Sequence, residues 1–270
     1  MLMVVDVGNT NMVFGVYRDD RLVSSFRLTT GANRTSDEIG SFIWDHFQRF
    51  GLNAGEVTDV IICSVVPGVM HTLCSAIIKY INKTPIVIND DVEAGLCYPP
   101  DVKYPTHGAD RQVACVAAIE QYGTPLVVLD FGTATTLDVV DRQGIYRGGS
   151  ILAGVQISIN ALFQKTAKLP QVTLSVPEKM LGMSTVSQIQ AGGLGGYIGA
   201  IEYLIRRSVE ELGEQEESVK VVATGGLARL IAANTHVIDV VHGELILDGL
   251  VSIYHRFKSQ QETAETATTH

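Results

Sequence analysis

The chain has 270 residues but only one tryptophan, four cysteines and eight prolines. It is also short of positive charge, because 20 Lys and Arg against 29 Asp and Glu leave a formal net of −9. Each scarcity excludes something. Nucleic-acid and membrane-surface binders need a basic face, so a general role of either kind is excluded; a small anionic ligand is not, because local dipoles or a metal can outweigh the overall charge. No stretch approaches the roughly 18 apolar residues of a membrane-spanning helix. The N-terminal "MLMVVDVGNTN" has no basic segment and only a short apolar run before Asp6, so it reads as a strand rather than a signal peptide. Cys63, Cys74, Cys97 and Cys115 stand singly, without a C-x-x-C pair. They read as buried thiols of a reducing compartment, and the expected location is cytoplasmic.

What is present describes a packed protein, 46% hydrophobic and 18% charged. A chain of this length buries about three quarters of the surface it exposes unfolded, enough for one large domain or two lobes. "MLMVVDV", "NMVFGVYR" and "RLVSSFRL" read as a strand meander with Asp19-Asp20 as its second turn. Thr35, Ser36 and Asp37 offer a helix cap, with Glu38 as a partial capping-box match, for a helix running to about Phe50. "VTDVIICSVV" is a buried strand, a helix starts at Pro67-Gly68, "PIVIN" is a short strand, and residues 96–107 are irregular. The pattern from Gly108 to about Tyr122 is helical.

The plan then restarts. "PLVVLDFGTATTLDVVDRQGIYRGGSIL" reads as strand, turn, strand, turn, strand, and it overlays the N-terminus at an offset of 124 residues (130 − 6). That offset sets Asp6 on Asp130 and Gly8 on Gly132, as an internal repeat of a whole supersecondary unit does. A helix over 154–166, a proline-bearing loop, a long helix from Thr185 to Gly213, a strand before Gly225-Gly226 and a last helix over 244–257 follow. The tail "SQQETAETATTH" reads as disordered.

Four stretches carry chemistry. In "DVGNTN" a buried strand ends in an acid, a glycine and small polar side chains. Gly8 allows close backbone approach, Asn9, Thr10, Asn11 and the turn N–H groups can donate to phosphate oxygens, and Asp6 can hold Mg²⁺. The same letters also suit an ordinary hairpin. "DFGTATT" is its second copy, and two such turns in duplicated halves suggest a polyphosphate gripped from two sides of a cleft. The protein-kinase meaning of Asp-Phe-Gly fails, because H-R-D, G-x-G-x-x-G and V-A-I-K are all missing, and the P-loop pattern is missing too. In "VVATGGLARL", Gly225 and Gly226 would let a flat group lie against backbone at a helix start, or simply make a tight turn. In "HGADRQVACVAAIE", Asp110 is a helix cap or a proton acceptor. Arg111 can clamp a substrate carboxylate, and His107 is either a proton carrier or a solvated loop residue.

Taken in order, Asp-x-Gly-Asn-Thr-Asn, Gly-Ala-Asp-Arg, Asp-Phe-Gly-Thr-Ala-Thr-Thr and Thr-Gly-Gly resemble the type III pantothenate kinases, over residues 2 to 257. These belong to the superfamily of acetate and sugar kinases, Hsp70 and actin. The resemblance implies an α/β protein of two duplicated ribonuclease-H-like lobes, the actin-like ATPase fold, each a mixed five-stranded sheet with flanking helices and a cleft between them. The lobes would be 1–118 and 119–257, with 258–270 as the disordered tail. It implies transfer of the ATP γ-phosphate to the 4′-hydroxyl of pantothenate, the first step of coenzyme A biosynthesis, in a homodimer. Asp6, Val7, Gly8, Asn9, Thr10, Asn11, Met12 and Val13 would form the first ATP loop, with Asp6 near Mg²⁺. Thr133, Gly225 and Gly226 would contact ATP as well. Gly108, Ala109, Asp110, Arg111 and Thr185 would bind pantothenate, with Asp110 as proton acceptor. Asp130 would hold the monovalent cation, K⁺ or NH₄⁺. One departure stands out: "CYPPDVKYPTHGADR" is about two residues longer than the family's pattern, and neither Tyr98 nor Tyr104 falls in register with its substrate-contacting tyrosine. The rival readings are another small-molecule kinase on the same fold and an ATP-binding regulator without turnover.

Overall fold

Runs of Val, Ile and Leu punctuated by Asp, Gly and Asn turns become strands here, and amphipathic runs opened by caps become helices. The computed structural model describes residues 1–31, 33–89, 92–102 and 107–268, with side chains to 263. The first half holds β1 (Leu2–Val7), β2 (Asn11–Arg18), β3 (Arg21–Thr29), α1 (Ser36–Arg49), β4 (Asp59–Ser64), α2 (Pro67–Ile81), β5 (Ile86–Val87) and α3 (Ala109–Tyr122). The second holds β6 (Leu126–Phe131), β7 (Ala134–Val140), β8 (Tyr146–Ala153), α4 (Val155–Lys165) and α5 (Thr185–Gln190). It continues with α6 (Gly196–Leu212), β9 (Lys220–Thr224), α7 (Ala228–Ala232), β10 (Val240–Val241) and α8 (Leu245–Thr268).

Packing divides the chain into two compact units. Met1–Leu96, Lys103–Ala117 and Glu244–His270 form the first, and Cys97–Val102 with Ala118–Gly243 the second. The sequence reading draws a simpler border, with 119–257 as one lobe. The structure differs because α8 packs on β1 and β4 of the first unit. The tail also differs from its expectation, since α8 continues as helix through Thr268. Glu, Gln and Ala in this stretch are strong helix formers and extend a helix already begun.

The two units repeat one topology. The first has a five-stranded sheet ordered β3-β2-β1-β4-β5 and the second has β10-β9-β6-β7-β8, the same order read from the other edge. In each, the central hairpin is antiparallel (β1 with β2, β6 with β7), and its first strand runs parallel to a later one (β1 with β4, β6 with β9). Sequence reading misses the two-residue strand β10, which is too short to show a period. Asp19 and Asp20 both have positive φ, 50° and 59°. That is the geometry of a two-residue turn whose twist matches the flanking strands.

Each unit has its own core. In the first, Met3, Val5 and Val7 of β1 pack with Ile39, Ile43 and Phe47 of α1 and Leu73 and Ile77 of α2. Alternation along the strand therefore turns Val4 and Asp6 to the opposite face. On that face Gly15 brings Val4 and Leu247 of α8 together, since a Cβ there would lie 3.0 Å from Val4 and 3.2 Å from Leu247. The second unit repeats this: Val127, Leu129 and Phe131 enter the core with Ile159, Tyr197 and Ile201, and Asp130 faces the other way. Phe131 is thus core filler beside the turn, as expected of it from the sequence.

Local chemistry sets the helix ends. Thr35 caps α1 with both arms of a capping box, where the sequence promises only a partial match: its side chain accepts from Glu38 N, and Glu38 accepts from Thr35 N. The long helix expected over 185–213 is interrupted by a π-helical turn at Ala191–Gly195, where the run Ala-Gly-Gly-Leu-Gly weakens the regular ladder. No disulfide links the cysteines. Cys63 and Cys115 are buried as expected, but Cys74 is half-buried and Cys97 exposed.

Candidate active site

In the first unit the β1–β2 turn is pinned rather than loose. Gly8 N–H donates to Asn11 O at 3.0 Å, Thr30 N–H donates to Thr10 O at 2.8 Å, and the Thr30 hydroxyl donates to Gly8 O at 2.7 Å. Thr30 is a supporting residue that no motif announces, because it lies 20 residues (30 − 10) from the turn it holds. The turn leaves Asn9, Thr10 and Asn11 exposed and Asp6 half-buried. Val7 and Met12 are 0% exposed, so those two members of the expected loop can serve a ligand only through backbone.

The expected substrate segment lies on the same sheet face. Cys63 of β4 is the register partner of Asp6 and is fully buried. Burial pushes its thiol up, and the nearby carboxylates of Asp6 and then Asp110 push it further. One neutral thiol therefore feels both acids. Asp110 stands in the first turn of α3, where the helix dipole favours a carboxylate, and its Oδ1 accepts from Arg111 N at 2.8 Å. Gly108 makes this possible: a Cβ there would lie 2.5 Å from Asp110 Oδ1 and 2.9 Å from Val65 Cγ1. Gly108, Ala109, Asp110 and Arg111 are all half-buried, as is His107, whose carbonyl accepts from Gln112 Nε2 at 3.3 Å.

The second unit repeats the pinned turn with one residue fewer. Gly132 N–H donates to Ala134 O at 3.1 Å, and Gly154 N–H donates to Thr133 O at 3.1 Å. These bonds match those of Gly8 and Thr10, so Thr133 is the structural counterpart of Thr10, not of Asn9 as a constant offset suggests. Asp130 pairs in register with Thr224 of β9, which is 2% exposed, and Gly225 follows at φ +91°. Gly225 and Gly226 do not open a helix of useful length, because α7 spans only Ala228–Ala232. The helix-start reading of that turn is thereby weakened.

Thr185 stands apart from the hairpin. It is exposed at the start of α5 and lines a cavity of about 500 Å³ with Ile159, Leu162, Leu169, Gln188 and Tyr197. The Tyr197 hydroxyl donates to Thr135 Oγ1, two residues beyond Thr133. Tyr98 packs edge-on against Tyr146 with ring centroids 5.8 Å apart. Tyr104 lies outside the described residues. Among the described residues no group of three or more His, Cys, Asp or Glu is arranged to hold a metal ion, and no helix is long and apolar enough to cross a membrane.

A duplicated β-meander with a parallel fourth strand, each copy carrying an acid one residue before the end of its first strand, is the actin-like ATPase fold shared with sugar kinases. The activator of the 2-hydroxyisocaproyl-CoA dehydratase from Clostridium difficile, solved with bound ADPNP, matches with a TM-score of 0.52 at 14% identity over 97% of each chain. A structure from Campylobacter jejuni ascribed to a Baf family of transcriptional activators matches at 0.61 and 20%, over 95% of this chain and 99% of that one. At those identities the likeness concerns the fold. The particular family comes from sequence: residues 2–207 match the family model for type III pantothenate kinase. A type III pantothenate kinase of Agathobacter rectalis is 42% identical over 260 residues, 95% of this chain and 97% of that one. The chain belongs to the type III pantothenate kinase family, and its reaction is ATP-dependent phosphorylation of pantothenate.

Proposed function

We propose the division of labour by which this chain performs that reaction. Asp110 accepts the proton of the pantothenate 4′-hydroxyl as that oxygen attacks the γ-phosphorus of ATP and the bond to the β,γ-bridging oxygen breaks to release ADP, a contribution of about 10²–10⁴-fold for general base catalysis. The supporting observation is the placing of Asp6 and Asp110 on one face of the first sheet, both within electrostatic reach of Cys63. Two carboxylates there have separate tasks: one beside a phosphate loop, the other at a helix start next to Arg111. Arg111 is suited to clamp the substrate carboxylate as a bidentate pair. Gly8, Asn9, Thr10 and Asn11 offer N–H and side-chain donors to phosphate oxygens, and Thr133 with its neighbours does so in the second unit.

The residues fit the ions this chemistry calls for. Mg²⁺ keeps several waters and needs only one or two carboxylates beside substrate phosphates, so Asp6 suffices where the described residues hold no larger cluster. When bound, it neutralises charge on the phosphates. Asp130 fits a monovalent cation: its carboxylate lies against the side-chain-free surface of Gly225, and an ideal Cβ on Gly132 would be 3.8 Å from it. We assign Thr185 and its cavity to pantothenate. We also assign the exposed apolar side chains of α4 (Ile157, Leu162 and Phe163) and of the segment before α5 (Met180, Leu181 and Met183) to a homodimer, since exposed apolar surface is what an interaction site buries. The enzyme is placed in the cytoplasm with its substrates. Phosphorylation of pantothenate in a coupled assay, run in K⁺ and in Na⁺, tests the scheme together with Asp110→Asn. Near-normal turnover in that variant would remove Asp110 from the mechanism, and a monomer in light scattering would remove the dimer.

A further inference from the structure

The two glycines that end β9 are not alike. Gly225 has φ +91°, and a Cβ built on it would overlap Asp130 Oδ1 and lie 2.7 Å from both the amide nitrogen and the carbonyl carbon of Phe131. Gly226 has open space at the same point. In the first unit the corresponding position is Ser64, because Cys63 pairs with Asp6 as Thr224 pairs with Asp130. Ser64 carries a side chain, whose hydroxyl accepts from Val66 N at 3.1 Å. In the second unit, then, the backbone after the parallel strand is pressed directly onto the acid.

We propose that Gly225 is a positioning residue for Asp130: having no side chain, it lets the turn after β9 lie against the Asp130 carboxylate and hold it in one orientation for a monovalent cation. The first glycine of "TGG" thus serves the ion site, whatever Gly226 does for the nucleotide. This rests on the reading of Asp130 as the cation ligand. A K⁺-sized ion is selected by the number and placing of oxygen ligands, so a carboxylate free to swing would bind it less well. Groups that orient a metal ligand are typically worth about 10–100-fold in affinity.

The test reads the K⁺ concentration that half-saturates thermal stabilisation, measured as melting temperature in KCl against NaCl at constant ionic strength, with turnover followed in parallel. Gly225→Ala is expected to raise that concentration about tenfold or more in both readouts, with KM for pantothenate held. A K⁺ midpoint unchanged from wild type overturns the proposal. Alanine at this φ also strains the backbone, so the single variant is compared with Gly225→Ala/Asp130→Ala. Removing the carboxylate is expected to recover part of the lost melting temperature, or soluble yield if the single variant does not fold, the contacts with Phe131 backbone remaining. A double variant no more stable than the single one overturns the proposal as well. A wild-type protein that responds equally to K⁺ and Na⁺ overturns instead the cation reading of Asp130.

Discussion

In the first hairpin Gly8 N–H reaches Asn11 O; in the second, Gly132 N–H reaches Ala134 O, one residue sooner (11 − 8 against 134 − 132). Both turns are pinned from the end of the third strand, by Thr30 in one copy and by Gly154, just beyond β8, in the other. Both present an acid on the sheet face opposite the core residues of its own strand. Around the acids the copies part. Asp6 has Cys63 beside it on the next strand and Asp110 close by, whereas Asp130 has Thr224 and the bare backbone of Gly225. A scaffold that fixes where an acid sits leaves its surroundings to the strand alongside: a second carboxylate, Asp110, near the first acid, and bare glycine backbone against the second.

The sharpest break in that comparison is Asp110→Asn. Turnover should fall about 10²–10⁴-fold while calorimetry still detects ATP binding; equal loss of both would mean that Asp110 shapes the nucleotide site rather than moving a proton. Next comes Asp130→Asn, which should abolish the advantage of K⁺ over Na⁺ and bring the rate in K⁺ down to that in Na⁺. If K⁺ still activates that variant, the second copy holds no ion at its acid. Below these lie the two cores. Leu73→Ala in the first and Ile201→Ala in the second each remove a side chain that is 0% exposed, and each should cost about 2–5 kcal/mol in denaturant unfolding. A cost well under that range in one unit would show that its core collapses around the gap while the other cannot.

The smallest expected effect is at the α1 cap, a Thr35–Glu38 box where the second unit has a Ser184–Ser187 box on α5. Thr35→Ala should cost about 1 kcal/mol at neutral pH. The Thr35 N–H and then its hydroxyl hold the Glu38 carboxyl below its usual value. A lowered folded value means that the contribution is present above the unfolded value and lost as pH falls through the folded one. The penalty for Thr35→Ala should therefore shrink in acid. A penalty that does not change with pH would mean that the Thr35 hydroxyl does nothing to hold the Glu38 carboxylate.

Much of this was legible in the residues. The strands, the Asp19-Asp20 turn, the Pro67 helix start and the repeat itself follow from period and turn chemistry, which act over a few neighbours. What stayed hidden depends on long-range packing. Nothing in "TGG" says that its first glycine touches Asp130, 95 positions away (225 − 130). Nothing in "IICS" says that Cys63 lies near two acids, and nothing near Gly40 says that a Tyr80 ring fills its missing side chain, where a Cβ would lie 2.6 Å from Tyr80 Cγ. The cap of α1 was stronger than its letters promised, and the tail was more helical, because capping reciprocity and helix continuation depend on geometry that composition only suggests.

The shorter second turn has a consequence for heredity. Strand pairing on either side of a turn survives the loss or gain of a residue within it, so a single-codon difference can separate the halves of a duplicated gene without disturbing either fold. An ungapped self-comparison follows the repeat along its first strand and then slips by one position at Asn9. From there Asn11, the partner of Ala134, is set against the wrong residue. The kinship of the two halves is recorded in their hydrogen bonds more faithfully than in the spacing of their letters.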